Sequence, residues 1–264
     1  KPRTHPTARL ALANADEWTG EGGVESQYRE DFFMGDVIEC FKISDKGYSL
    51  PNVIFIRIEP SDLKVTINDI ICSLNNLSWI ETFDKEYIKK SFKIRASKTA
   101  EHLSNNLNNF AQDKVTTDIG ETVVSELSRL AIVKELEYRD IPLAELFKQK
   151  ISGNHGFDFF SETLSQFIVF GEAKYVSNSN GYGRALEQIE RFIMEERDTS
   201  DLNDIDKFVS DLSLNNHTQN NKAFACAFSA TSIKSETLID NILNNDHFNK
   251  IKHHREIILI AVNV

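Results

Sequence analysis

The chain has 264 residues, of which 41% are apolar and 27% charged, and a formal net charge of −10. That length holds one large domain or two modest ones with a real core, and no apolar run approaches a membrane span. The acidic balance argues against unaided binding to nucleic acid, whose affinity is largely electrostatic, although a local basic patch can coexist with an acidic remainder. A partner that delivers a polyanionic substrate is therefore expected. Cys40, Cys72 and Cys226 fall in no CxxC or Cys/His ligand spacing. With no apolar core of a signal peptide at the start, this points to buried thiols, a reducing cytoplasm and no zinc site.

Residues 1–33, with Pro2, Pro6, an Ala-rich patch and Gly20, Gly22 and Gly23, read as a poorly packed arm. Residues 37–43 and 53–58 are short β-branched runs around the turn Asp45–Lys46–Gly47 and read as paired strands. Ser61 or Asp62 can cap a helix through Ile67, Ile70, Ile71 and Leu74. Residues 86–90 and 96–110 read as helices. Their junction holds the densest basic run, Lys89, Lys90, Lys93, Arg95 and Lys98. It is either a solvated face or a contact for phosphates or a partner.

Polar residues 112–117 suggest a junction, dividing an N-terminal α+β region (34–112) from a second domain (113–264). Thr117 or Asp118 can cap a helix through Ile119, Val123, Leu127 and Leu130. Residues 143–147 read as a strand after Pro142. Residues 157–160 and 167–175 flank the short polar loop S-E-T-L-S-Q and predict a β-hairpin. A helix over 182–196, an acidic stretch over 198–211 that reads as a solvated loop or helix, a strand over 224–228, a helix over 235–243 and a last strand over 257–262 follow. The runs F-I-V-F and I-I-L-I-A-V do not alternate, so these strands are covered on both faces. An α/β sandwich with a mixed sheet flanked by helices is expected.

The chemistry concentrates between Gly153 and Gln188. In a strand Glu172 and Lys174 share one face and Ala173 points away. A hairpin centred near Ser165 sets Asp158 opposite Glu172, at a cross-strand distance of about 5 Å. Two buried carboxylates so close raise one another's pKa unless a cation separates them. Mg²⁺ (or Mn²⁺), held by both carboxylates, a backbone carbonyl such as that of Ala173, and water, meets that need. Lys174 would then orient or deprotonate a water and screen charge on a phosphate. Glu121 sits in the first turn of its helix, where an acid commonly balances the helix dipole. His155 is a loop histidine beside the motif, either a surface group or a contact to phosphate or metal. Gly181–Tyr182–Gly183–Arg184 resembles a phosphate-holding turn at a helix start, in which Arg184 would touch a DNA phosphate. His253 and His254 lack acidic company and read as a solvated loop.

The pattern D-x13-E-x-K, set in a helix–strand–strand–strand–helix–strand order, resembles the PD-(D/E)xK nuclease superfamily with its restriction-endonuclease-like core. The segments G-N-H-G-F-D and F-G-E-A-K-Y are further similar to HamA, the nuclease-subunit family of the Hachiman antiphage system, over roughly residues 80–264. The resemblance implies a metal-dependent DNA endonuclease. Asp158 and Glu172 would be its metal ligands, Lys174 its catalytic lysine, and Glu121 an acid completing the metal shell through water. It also implies an antiphage effector restrained by a superfamily-2 helicase partner (HamB-like), with no membrane association. Gln188 falls where many relatives carry Q-x-x-x-Y, in a DNA-contacting helix, but Phe192 replaces the tyrosine. Phe157 replaces the proline of the family name. A stand-alone restriction endonuclease and a nucleic-acid-binding module with a degenerate site are the alternatives.

Overall fold

The computed structural model describes residues 35–110, 116–148 and 156–264. The arm over residues 1–33 lies outside them, as does His155. The described residues open with an antiparallel pair, β1 (Gly35–Lys42) and β2 (Val53–Pro60). Helix α1 (Leu63–Asn75) starts at Asp62, whose carboxylate accepts the Lys64 and Val65 N–H groups. The two helices expected over 86–110 form one, α2 (Glu86–Phe110). Helix α3 (Thr117–Leu136) is capped one residue earlier than expected, by the Thr116 hydroxyl accepting from Ile119 N–H. Residues 143–147 are not a strand: α4 (Ala144–Phe147) is a single helical turn, its Lys148 N–H closing on the Ala144 carbonyl at 2.9 Å.

The hairpin is present as β3 (Phe159–Glu162) and β4 (Ile168–Lys174). Three helices follow: α5 (Tyr182–Met194), α6 (Arg197–Ile205) and α7 (Asp211–Thr218). The chain ends with β5 (Ala223–Ser229), α8 (Ser235–Leu243), α9 (Asp246–Ile251) and β6 (Glu256–Val262).

The fold is α/β with one mixed six-stranded sheet, in the order β1-β2-β6-β5-β4-β3. β2, β6, β5 and β4 run parallel, and the two outer strands are antiparallel to their neighbours. Strands from both sides of residue 112 share this sheet, because β2 pairs with β6 from Val53↔Ile257 to Ile58↔Val262. β6 and β5 are central, so the unbroken run I-I-L-I-A-V is buried on both faces.

The two faces of β4 and β5 differ in size. Phe170, Phe224 and Phe228 project to one side, where Phe170 and Phe224 form a ring cluster with Phe157, itself edge-on to Phe192 of α5. Gly171, Ala173, Ala225 and Ala227 occupy the other side, where the Phe159 ring fills the space over Gly171 and α3 packs against β4 and β5. Helix α5 buries Ala185, Leu186, Ile189 and Phe192 at helical spacing.

Two polar expectations are corrected. The acidic stretch beginning at Asp198 is helical, one of the two forms expected, but it is not solvated throughout: Asp198 is fully buried, meeting His217 Nε2 at 2.7 Å and the Lys222 ammonium. His254 is buried rather than solvated, edge-on to Phe224 with ring centres 4.7 Å apart. Among the cysteines only Cys226 is buried; Cys40 and Cys72 are exposed.

Candidate active site

Strand β4 changes from apolar to charged toward its carboxyl end, I-V-F-G-E-A-K. Because β5 and β3 flank it, Glu172 is fully buried although it is a carboxylate. Lys174, at the strand's end, is partly open, and its Nζ lies 2.7 Å from Glu172 Oε1. That contact lies off the direction a hydrogen bond needs: neither Glu172 oxygen accepts one.

Asp158 stands immediately before β3. Its N–H donates to the Gly171 carbonyl at 2.9 Å, and its Oδ2 accepts the Ala173 N–H at 2.9 Å. These bonds extend the ladder one step past Phe159↔Gly171, so Asp158 faces Glu172 as the hairpin reading expects. The Asp158 carbonyl also accepts the Ala144 N–H at 3.1 Å, tying the motif to α4.

A second device holds the residue before it. In α6, Asp201 accepts the Phe157 N–H at 2.9 Å on Oδ2 and the Lys148 ammonium at 2.7 Å on Oδ1. The sequence reading missed this role, since nothing local joins an acid in a polar stretch to a residue 44 positions earlier.

The electrostatics follow from this packing. Burial first, then the neighbouring Asp158, pushes the Glu172 carboxyl well above its ordinary range, with Lys174 opposing. Burial pushes Asp158 up to about 6, against the pull of Lys174 and the Ala173 N–H. Burial also disfavours the Lys174 ammonium, but Glu172, Asp158 and Glu121 outweigh it and raise the lysine's pKa. At neutral pH Lys174 is thus a fixed positive charge and not a base.

Glu121 joins the group from α3, its Oε1 3.4 Å from Lys174 Nζ. Glycine at the preceding position is what lets α3 approach: a Cβ on Gly120 would sit 2.2 Å from the Tyr175 ring. A cavity of about 390 Å³ opens beside Asp158. Its walls include His102 and Asn106 of α2, Thr122 and Ser125 of α3, and Glu145 of α4. Asp118 and Glu121 also border it, so its lining is acidic.

No family model, curated protein or solved structure matches the chain.

The structure brings Asp158, Glu172, Lys174 and Glu121 together. Arg184 is exposed in the first turn of α5 and Gln188 is partly buried one turn further on. Among the described residues, neither forms a hydrogen bond or ion pair with the acidic group. His155 lies outside the described residues.

The donor set suits a hard divalent cation. Glu172 holds two buried oxygens that accept no hydrogen bond, so its charged form depends on nearby positive charge. Lys174 supplies some of it, and a divalent ion shared with Asp158 would supply more. Among the described residues no three His, Cys, Asp or Glu side chains converge as a ready metal centre. An ion here would therefore take Asp158 and Glu172 and complete its shell from water and backbone oxygen. Such an ion would lower the pKa of a bound water and stabilise charge on a phosphate. The chain's own residues would position Asp158 through the Ala173 N–H, fix the preceding backbone through Asp201, and hold the Lys174 charge beside the developing negative charge.

Proposed function

We propose that this chain is a divalent-metal-dependent nuclease with a restriction-endonuclease-like core of the PD-(D/E)xK type, hydrolysing phosphodiester bonds in DNA. The observation that carries the reading is the pairing at the end of β4. Two carboxylates with raised pKa values, Asp158 and Glu172, lie opposite one another with Lys174 as the adjacent cation. Buried like charges are expensive, and a metal-assisted hydrolase is the chemistry that gives them a use. Mg²⁺ or Mn²⁺ is the proposed cofactor, with Glu121 reaching its shell through water.

On the same resemblance, the protein would act as a cytoplasmic antiphage effector restrained by a superfamily-2 helicase, with Arg184 and Gln188 of α5 touching DNA. The net charge of −10 supports a partner that presents the substrate.

Plasmid incubated with Mg²⁺ or Mn²⁺, with and without a co-purifying helicase, tests the reading. The double substitution Glu172→Ala, Lys174→Ala is expected to abolish cleavage while thermal unfolding stays cooperative. Retained nicking by that variant would remove the assignment. One observation favours a second reading, a nucleic-acid-binding module with a degenerate site: Lys174 already sits 2.7 Å from Glu172 and neutralises it in part. Absence of any metal-dependent shift in unfolding, for wild type and Asp158→Asn alike, would favour that reading.

A further inference from the structure

The cleft beside Asp158 poses a charge problem. Its lining carries Asp118, Glu121, Glu145 and Asp158, with His102 as the one basic side chain among its described residues. A polyanion has little to hold there, so its phosphates must be gripped nearby. Helix α2 supplies that grip. Its carboxyl half contributes His102 and Asn106 to the cleft wall, and its amino half carries the chain's densest basic run.

Helical geometry joins the two halves. Arg95 lies seven residues before His102, which places it about 20° away around the axis and about 10 Å along it. Lys98 lies four residues before His102, about 40° to the other side and about 6 Å along. Both therefore stand on the face that forms the cleft's edge.

Lys89 is occupied by Glu81 at 3.2 Å and Glu86 at 3.7 Å. Lys98 has no ion pair among the described residues. Arg95 has none either; its guanidinium lies over the Phe92 ring at 4.9 Å with Nε buried and unbonded, which fixes its direction. Tyr87 and Ile94 are 69% and 63% exposed on the flank of the same helix. An exposed aromatic ring among cations is the composition on which unpaired bases stack.

We propose that this face of α2 is a backbone track for a polynucleotide, with Arg95 and Lys98 holding phosphates that lead the strand past His102 into the cleft. It rests on the nuclease reading for the identity of the polyanion. A nucleic-acid strand carries one charge about every 3.4 Å of duplex axis, so Arg95 and Lys98 fall within the span of about three phosphates beyond the cleft's edge. A protein partner is the competing occupant of the exposed Tyr87 and Ile94, but such a partner gives no reason for cations to line up with the cleft.

The test is binding, read separately from cleavage. In a Glu172→Gln background with Mg²⁺ present, fluorescein-labelled single-stranded and duplex DNA are titrated against three proteins: the background, Arg95→Glu/Lys98→Glu, and Lys46→Glu/Lys234→Glu, which makes the same charge change away from α2. The α2 variant is expected to bind at least about ten-fold more weakly than the Lys46/Lys234 control. Its log–log salt slope should be shallower by about 1.4 on the single strand or about 1.8 on the duplex, for two lost contacts. Equal affinity in the two double variants would overturn the track and leave the α2 face to a protein partner. Circular dichroism and unfolding curves on both variants establish that the fold is kept. If wild type fails to cleave yet the α2 variant loses binding, the nuclease reading fails and the track stands.

Discussion

The raised pKa of Asp158 makes a prediction that requires no substrate. Burial moves this carboxyl from 3.8 to about 6. At about 1.4 kcal/mol per unit, ionising it in the folded protein costs about 3 kcal/mol of stability. As pH rises, the unfolded chain releases this proton near 3.8 while the folded chain keeps it until about 6. The penalty is therefore absent below pH 3.8, grows between these values, and is complete above pH 6. Asp158→Asn keeps an oxygen for the Ala173 N–H and removes the charge. In EDTA the variant should match wild type at pH 4 and be more stable at pH 8, by up to about 3 kcal/mol or roughly 6–12 °C in Tm for a chain of this size. Adding Mg²⁺ should close most of this gap. Wild type gains about 2.7 kcal/mol when the ion is at about a hundred times its Kd, and the variant gains far less. Urea titrations at the two pH values, with and without Mg²⁺, measure all four states. If Asp158→Asn is no more stable than wild type at pH 8 in EDTA, the desolvated carboxylate pair is not there.

Three further substitutions probe the scaffold. A Cβ on Gly171 would meet the buried Phe159 ring at 2.3 Å, so Gly171→Ala should destabilise by about 1–3 kcal/mol; an unchanged urea midpoint would refute this packing. Asp201→Ala strands the partly buried Lys148 ammonium and the Phe157 N–H, and should cost about 3 kcal/mol. Equilibrium unfolding reads that loss, and cleavage by the surviving folded fraction reads whether Asp158 has shifted. Burial, with His253 and Lys222 nearby, holds His254 down at about 4. The unfolded chain therefore takes up a proton near pH 6.5 that the folded chain refuses, and this group removes stability as pH falls from about 6.5 to about 4. His254→Phe should flatten that acid limb relative to wild type, and the difference between the two proteins cancels the opposite trends of Asp158 and Glu172.

What the sequence could reveal divides along the range of the interactions. The hairpin was legible because its register is local: the polar loop centres on Ser165, and that centre alone sets Asp158 against Glu172, one step beyond the observed pair Phe159↔Gly171. The mixed sheet was legible in part from the unbroken apolar runs of β4 and β6. The turn at Ala144–Phe147 was not, since four residues are too few to show a helical period and apolar Leu143, Leu146 and Phe147 fit a strand equally well. The entry of β1 and β2 into the sheet was equally hidden. It depends on pairing Val53 with Ile257, about 200 residues apart, and no local pattern encodes that choice. The same division separates the parts of the site. Glu172 and Lys174 announce themselves by spacing along one strand, whereas Asp201, Glu121 and the cleft face of α2 reach them only through tertiary packing. Asp198 shows why composition misleads here: its partners His217 and Lys222 lie 19 and 24 positions on, so an acid that reads as solvated becomes a buried ion-pair centre. A charged residue's environment is set by where its counter-charge folds to: for Asp158 and Glu172 that is Lys174, inside one hairpin, whereas for Glu121, Asp198 and Asp201 it lies beyond any single turn or hairpin.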